Sequence, residues 1–279
     1  MKRVKISAVI ISLFALVFLA GSGLLGSDAM PRPKSANPEA QKLIDQALAL
    51  VKNEMSVKTF DQAIQILEKA LKLDPNNPDI MIELANYCWQ RGDQMPKATD
   101  QDFDARNVYF NKGKSYADQA LKIKECAGAY YWYSANLASG NQNRSVLVQA
   151  RLFPTLKKNT DWIDAHDPGY FYGGGARLWS KVVSEVPEAL LKMGLADPED
   201  AYQSLNDAIK FEPRYLLNYV YKGNFCWRMG KKDEALKELD FALRADPNIF
   251  PEELAKNRLA QKEAKESWKQ FTGKEWPQK

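Results

Sequence analysis

The sequence predicts an all-α protein made of stacked helix pairs, and three observations support this prediction. A pattern of small and large apolar residues recurs at a constant interval in two neighbouring segments, and a third copy lies nearer the amino terminus. Hydrophobic residues make up 45% of the chain and charged residues 27%, which is sufficient for a folded core. We therefore expect one elongated repeat domain with an irregular central insertion.

The recurring pattern is Ala-x3-Leu-x2-Ala, with proline five residues after the second alanine. Its three copies span 63–75, 201–213 and 235–247. Ala235 lies 34 residues after Ala201, and the other positions of these two copies keep the same interval, which is the period of the tetratricopeptide repeat. Small residues let two helices approach closely, leucine fills the gap between them, and proline ends the second helix. The sequence thus predicts a tetratricopeptide-repeat helical-hairpin stack over residues 42–273.

The first helix of each unit carries a complementary pattern of a large, a small and a medium residue. It occurs over 81–88 and over 219–226, and we expect Gly92 and Gly230 to end these helices. Cys88 and Cys226 hold equivalent positions, where cysteine is typical of a small core residue. With Cys126 the cysteines are three in number and widely spaced, so they do not indicate a disulfide framework.

The remaining units are less regular. A stretched second helix is predicted over 104–124, after a loop inserted over 93–103, and an aromatic first helix over 129–137. The regularity lapses over 141–187, where Pro154 interrupts a helical pattern. A tail helix over 252–271 places apolar residues on one face, which is typical of the helix that closes a repeat stack.

The amino terminus predicts an export segment. Lys2, Arg3 and Lys5 precede an uncharged run over 6–27, which is followed by a small-residue site at 27–29. Residues 1–29 are therefore either a signal peptide cleaved near Ala29 or an uncleaved membrane anchor, since the run is also long enough to span a bilayer. Residues 30–41 would form a linker. In both cases the body lies outside the cytoplasm, in the periplasm or another extracytoplasmic space.

Several classes of function lack the residues that they need. The formal net charge is +4 with the two signs interspersed, so the sequence does not predict a nucleic-acid interface. His166 is the only histidine, and no cysteine lies at ligand spacing from it, so neither a metal site nor a cofactor is predicted. Nearby aspartates at 161, 164 and 167 are typical of caps and solvated turns. We expect a protein that is not an enzyme.

The least generic stretch joins aromatic residues to a glycine run over 167–175. If a small molecule binds, we expect it here, together with the aromatic first helix. The candidate ligand-binding residues are Tyr131, Trp132, Tyr170, Phe171, Tyr172, Gly173, Gly174, Arg177 and Trp179. The alternative is that these aromatic side chains pack helices and that the glycines allow close helix approach.

This stretch resembles the T-component family associated with TRAP-type solute transporters. The resemblance is carried by Asp167-Pro168, Tyr170, Tyr172-Gly173-Gly174, Arg177 and Pro187, ahead of the last two repeats, and the general organisation is alike over 40–250. It implies a periplasmic helical protein that partners a solute-binding component and that can hold or pass an apolar ligand among its helices. Family members look like lipoproteins, but no cysteine follows the export segment here, so a lipid anchor is not supported.

Two functions therefore stay open. One is a component of a TRAP-type transporter that binds a periplasmic solute-binding protein and an apolar small molecule. The other is a generic envelope scaffold for protein partners, which a repeat surface also suits. A homo-oligomer is compatible with both.

Overall fold

The computed structural model describes residues 31–277, apart from the side chains of Asn53 and Ala255. Within that range it contains thirteen α-helices, two short 3-10 turns and no β-strand. The predicted all-α helical repeat superhelix is confirmed. The predicted export segment, residues 1–29, lies outside the described residues, and none of the helices within 31–277 has the length and apolarity to cross a membrane.

Ten of the helices form five pairs, each with a first and a second helix that pack together. The pairs are α1 (Pro38–Asn53) with α2 (Val57–Leu73), α3 (Pro78–Asp93) with α4 (Asp100–Ile123), α5 (Ala127–Ser139) with α7 (Phe153–His166), α8 (Gly174–Ser184) with α10 (Pro198–Phe211), and α11 (Leu216–Arg228) with α12 (Lys232–Arg244). A short helix interrupts the third and fourth pairs: α6 (Val146–Ala150) and α9 (Glu188–Lys192). The last described helix, α13 (Leu254–Thr272), packs against the fifth pair.

The first helices form a continuous layer, because α3, α5, α8, α11 and α13 contact one another in succession. Each second helix also packs against the first helix of the next pair. We call the surface formed by these first helices and α13 the inner face.

Side-chain caps fix where several helices begin. Asn37 accepts hydrogen bonds from the backbone of Glu39 and Ala40, so α1 starts at Pro38, ahead of residue 42, where the repeat domain was predicted to start. Thr99 and Asp102 form a reciprocal capping box, so α4 starts at Asp100 and not at Asp104. The loop predicted over 93–103 is correspondingly shorter and spans only 94–99.

The two glycines predicted to end first helices behave differently. Gly230 follows α11 with φ +81°, a left-handed conformation that suits glycine at a helix end, as predicted. Gly92 instead lies within the last turn of α3, so the prediction that it ends this helix is wrong. A Cβ atom there would lie 2.7 Å from the Phe110 ring of α4, so Gly92 serves helix packing.

Small residues bring the helices of a pair together as the repeat pattern predicts. A Cβ atom on Gly223 of α11 would lie 2.9 Å from the Leu239 side chain of α12. Cys88 and Cys226 are both fully buried, and burial raises the pKa of each thiol to about 12. Both cysteines therefore act as small core residues.

The irregular centre keeps the helix-pair plan. Pro154 lies in the first turn of α7 and marks the boundary after α6, where the sequence predicts an interruption. The fourth pair carries a second insertion, α9, beyond the predicted irregular range of 141–187. The lapse in the 34-residue spacing therefore comes from short helices inserted within pairs.

The closing helix binds the fifth pair through a buried asparagine. Asn257 accepts a hydrogen bond from the Leu216 backbone at 3.0 Å and donates to the carbonyl oxygens of Arg214 and Pro247. Ala260 and Ala264 of the same helix are buried against the apolar side chains of α11 and α12. As predicted, α13 covers the apolar surface of the last pair.

Overpacking a pair tests the repeat register. Ala242 of α12 is fully buried, so Ala242→Trp is expected to lower the free energy of unfolding by about 1–3 kcal/mol or more, because the helices must separate. Lys237 is exposed on the same helix, so Lys237→Ala should change the free energy of unfolding by less than about 0.5 kcal/mol. Denaturant unfolding of the full chain gives both values, and equal losses would contradict the register.

Candidate functional site

Four of the predicted site residues meet in one group, which we call the aromatic cluster: Tyr131, Trp132, Tyr170 and Phe171. The ring of Tyr131 lies 4.9 Å from that of Trp132 and 5.8 Å from that of Phe171, both edge to face. The indole of Trp132 donates a hydrogen bond to the Tyr170 hydroxyl at 3.1 Å. All but Phe171 are buried, so the cluster mainly joins α5 to the turn before α8.

Tyr172 and Trp179 lie away from the aromatic cluster. Tyr172 packs between the rings of Tyr215 and Phe250, and its hydroxyl donates to Glu253 at 3.0 Å. Trp179 is also buried, packs edge to face on Phe153 and donates to Asp200. The nine predicted residues therefore do not form a single pocket.

The glycine run permits a sharp turn and close packing. Phe171, Tyr172 and Gly173 all have positive φ, at 50°, 52° and 83°, which is unfavourable for the two aromatic residues. A Cβ atom on Gly173 would lie 2.4 Å from that of Ala208 in α10, and one on Gly174 would lie 3.1 Å from the Tyr131 ring. This arrangement fits the packing alternative for the glycines.

Arg177 holds this left-handed turn in place. Its guanidinium donates to the carbonyl oxygens of Tyr172 and Phe171 and, at 2.6 Å, to the side-chain oxygen of Asn218 in α11. Arg177 is 3% exposed, so these bonds satisfy a buried cation. Its role here is to tie α8 and the turn to α11.

An open apolar cavity lies elsewhere, at the end of the third and fourth pairs beneath α6 and α9. It encloses about 980 Å³, including space open to solvent, and we call it the end cavity. None of the nine predicted site residues lines it. Its apolar lining includes Leu152, Phe153, Leu156, Leu178, Val182 and Leu190. Sequence reasoning missed it because its walls are ordinary aliphatic residues, and the inserted helices were the one available signal.

The inner face also includes two residues that the sequence analysis did not single out, Tyr221 and Glu263, in addition to the predicted Tyr131 and Arg177. Tyr131, Arg177, Tyr221 and Glu263 come from four successive helices, α5, α8, α11 and α13. Burial, followed by the negative charge of Glu263, raises the pKa of Tyr221, and Tyr131 and Arg177 also act on this phenol. Tyr221 therefore lies within the electrostatic influence of residues on α5, α8 and α13.

Groups with reactive chemistry are sparse in the described part of the chain. Residues 31–277 contain no cluster of three His, Cys, Asp or Glu side chains suited to a metal ion. His166 is exposed and stacks on Trp162 at 4.2 Å. Burial and the charge of Asp161 raise the pKa of Asp164 to about 6, while Asp161 itself pairs with Lys157. We find no constellation that assigns a reaction to these residues.

Removing the Arg177 guanidinium tests its role in the turn. Arg177→Met would leave two carbonyl oxygens and Asn218 without their donor, so the free energy of unfolding should fall by about 2–5 kcal/mol. Arg177→Lys should recover only part of this loss, because an ammonium lacks the planar fork. Denaturant unfolding of both variants measures the effect, and full recovery by lysine would show that charge alone holds the turn.

Comparisons with known proteins find similarity over part of the chain and at low sequence identity. A family model described as regulator of microtubule dynamics protein 1-3 matches residues 43–158, less than half of the chain. No curated protein sequence matches. The crystal structure of YrrB, described as a TPR protein with an unusual peptide-binding site, is 17% identical over 81% of this chain and 94% of that one, with a TM-score of 0.37. At that TM-score the two superpose too loosely for details of one to describe the other.

The molecule's own architecture gives the firmer assignment. Five helix pairs follow one another, small residues lie at the helix contacts, and the Ala-x3-Leu-x2-Ala pattern of α2, α10 and α12 faces into each pair. These are the features of tetratricopeptide-like repeats. The chain is a TPR-like helical repeat protein.

Proposed function

We propose that this protein is a non-enzymatic scaffold that binds a protein partner on its inner face, outside the cytoplasm. The observation that supports this most directly is the continuous layer in which α3, α5, α8, α11 and α13 contact one another in succession. A surface built from successive repeats is suited to bind an extended segment of another protein, because each repeat contributes a further contact along the bound segment.

The partner that we propose is a periplasmic solute-binding protein, as in the T component of TRAP-type transporters. The DPGYFYGG stretch, which carries the resemblance, supports this proposal. It forms the turn before α8, and Arg177 binds this turn to Asn218 of α11. The extracytoplasmic location depends on the predicted export segment over 1–29.

Photo-crosslinking on the two sides of a pair tests the proposal. The full chain is expressed in its native host with p-benzoylphenylalanine at Tyr221 on the inner face, or at Val108, which is 65% exposed on the second helix α4. We expect Tyr221 to give a discrete crosslinked partner that mass spectrometry identifies, and Val108 to lack it. The same partner at both positions, or none at Tyr221, would contradict binding on the inner face.

The outcome also separates the two scaffold functions. A solute-binding protein in the crosslink supports the transporter component, and an unrelated envelope protein supports the generic scaffold. Fractionation of the same cells tests the location, since a soluble cytoplasmic product with an intact Met1 would contradict export.

The end cavity supports a second function, which is the holding of an apolar small molecule. Aliphatic side chains predominate in its lining, beside polar ones such as Gln142 and Lys181. Leu147 of α6 and Met193, which follows α9, are 72% and 80% exposed to solvent. Burial of apolar surface stabilises by about 25 cal/mol per Å², so a ligand that buries a few hundred Å² would bind without a charged contact.

Filling the end cavity tests this function. Ala138 lines it, so Ala138→Phe should displace an apolar molecule that organic extraction and mass spectrometry recover from the native protein. Ala105→Phe, on an exposed position of α4, is the matched control and should retain the molecule. Absence of any such molecule from the parent protein, or its retention in folded Ala138→Phe, would leave the scaffold as the only function.

A further inference from the structure

The short helix α6 presents apolar side chains to solvent. Its aliphatic residues 146–148 are consecutive and are 47%, 72% and 37% exposed. The one polar side chain of this helix, Gln149, is turned back onto the chain, because its amide donates to the carbonyl oxygens of Gln142 and Arg144. Three exposed aliphatic residues in a row are unfavourable in water, which indicates that another surface covers them.

The same helix borders the end cavity. Val146 and Ala150 line the cavity, whereas Leu147 lies outside the lining and is the most exposed residue of the helix. Val146 belongs to both surfaces, since it lines the cavity and is half exposed. The apolar surface of the cavity therefore continues onto the outside of α6.

The charge around α6 has one sign. Residues 126–160 contain four basic residues and no aspartate or glutamate, whereas the two signs are interspersed along most of the chain. Two of the four, Arg144 and Arg151, flank α6, and both are exposed and take part in no ion pair within residues 31–277. Lys97 lines the end cavity and is likewise exposed, with no ion pair in the described part of the chain.

The carboxylates on this side of the molecule do not cancel these positive charges. Those that line the end cavity or belong to α9 each pair with a basic side chain of the protein: Asp93 with Arg106, Glu185 with Lys181, and Glu188 with Lys192. The arginines that flank α6 are therefore available to an anionic partner.

We propose that α6 docks on the surface of a membrane that contains anionic lipids. The aliphatic side chains of residues 146–148 enter the boundary between headgroups and acyl chains, and Arg144 and Arg151 contact the lipid phosphates. Each attraction is weak by itself, because three small side chains bury little surface and exposed charges are screened by salt, so the two must act together. This inference goes beyond the scaffold function, since α6 is not one of the helices that form the inner face.

The composition of α6 favours a lipid surface over a protein partner. Protein interfaces draw most of their affinity from tryptophan, tyrosine and arginine anchored in pockets, and leucine and valine are under-represented among such residues. Residues 144–151 contain no aromatic residue. Aliphatic side chains need no shaped pocket in a bilayer, because fluid acyl chains adapt to them.

Photo-crosslinking to lipid tests the inference. The full chain carries p-benzoylphenylalanine at Leu147 or, as the matched control, at Ile123, which is 45% exposed at the end of α4. Ile123 precedes the start of α5 and α6 follows its end, so the 13 residues of α5 separate the two positions by about 20 Å. Residues 1–29 are present in both proteins, so any attachment through that segment is common to both.

Each protein is purified in mild detergent and reconstituted with phosphatidylcholine vesicles, with or without phosphatidylglycerol. After irradiation, mass spectrometry measures the lipid that is attached to the protein. With phosphatidylglycerol present, we expect about tenfold more attached lipid at Leu147 than at Ile123, because only α6 enters the boundary region. Without phosphatidylglycerol, the excess at Leu147 should disappear.

Removal of the flanking charges tests the electrostatic contribution. Arg144→Gln and Arg151→Gln should each lower the ratio of docked to undocked protein by about fivefold, as read from crosslinking at Leu147. The matched control is Lys69→Gln with Lys72→Gln, which removes two exposed charges from α2 and should leave crosslinking unchanged. Circular dichroism establishes that all variants are folded.

The other occupants of the α6 surface give different results. Equal lipid crosslinking at Leu147 and Ile123, or crosslinking at Leu147 that does not depend on phosphatidylglycerol, would overturn the inference. A crosslinked dimer at Leu147 in place of lipid would overturn it in favour of a second copy of the chain. A discrete protein crosslink at Leu147 in the native host, without lipid, would overturn it in favour of a protein partner. The scaffold function is tested separately at Tyr221, so either proposal can fail without the other.

Discussion

The close approach of two helices at residues without bulky side chains is the constraint on which the structure depends. Gly223 against Leu239 and Gly173 against Ala208 leave no room for an additional carbon atom. These contacts set the distance between the two helices of a pair. Because each second helix also packs against the next first helix, they determine the position of successive first helices. The inner face follows from that spacing, because its residues belong to helices that only the stack brings together.

The sequence reveals this constraint well and its exceptions poorly. The pattern at 63–75, 201–213 and 235–247 locates α2, α10 and α12 because alanine at a helix contact leaves a regular signature. Helix α4 starts four residues before its predicted position, because Thr99 and Asp102 cap it within a polar stretch that is equally typical of a loop. Gly92 was misinterpreted for a similar reason, since a glycine that makes room for Phe110 looks in sequence like one that ends a helix.

The candidate sites were less predictable than the fold. The aromatic and glycine stretch was correctly singled out as unusual, but its side chains divide between the aromatic cluster, the contact of Tyr172 with α13 and the packing around Trp179. The end cavity has walls of common residue types, mainly aliphatic with some polar side chains, which leave no recognisable pattern in the sequence. Asn224 looks in sequence like an ordinary polar residue of a helix, and what distinguishes it is that the fold buries its side-chain oxygen without a hydrogen-bond partner among the described residues. A local pattern cannot report such a long-range relation.

The turn before α8 has a consequence for the order in which the chain folds. Its two aromatic residues adopt left-handed backbone conformations, which cost about 1–2 kcal/mol each in isolation, and the bonds that offset this cost come from Arg177. Arg177 is in turn oriented by Asn218, 41 residues further along the chain. The turn is short but its stability is non-local, so it should close only after the α11 and α12 pair has docked. Folding is then expected to begin in the regular pairs at either side and to reach this segment last.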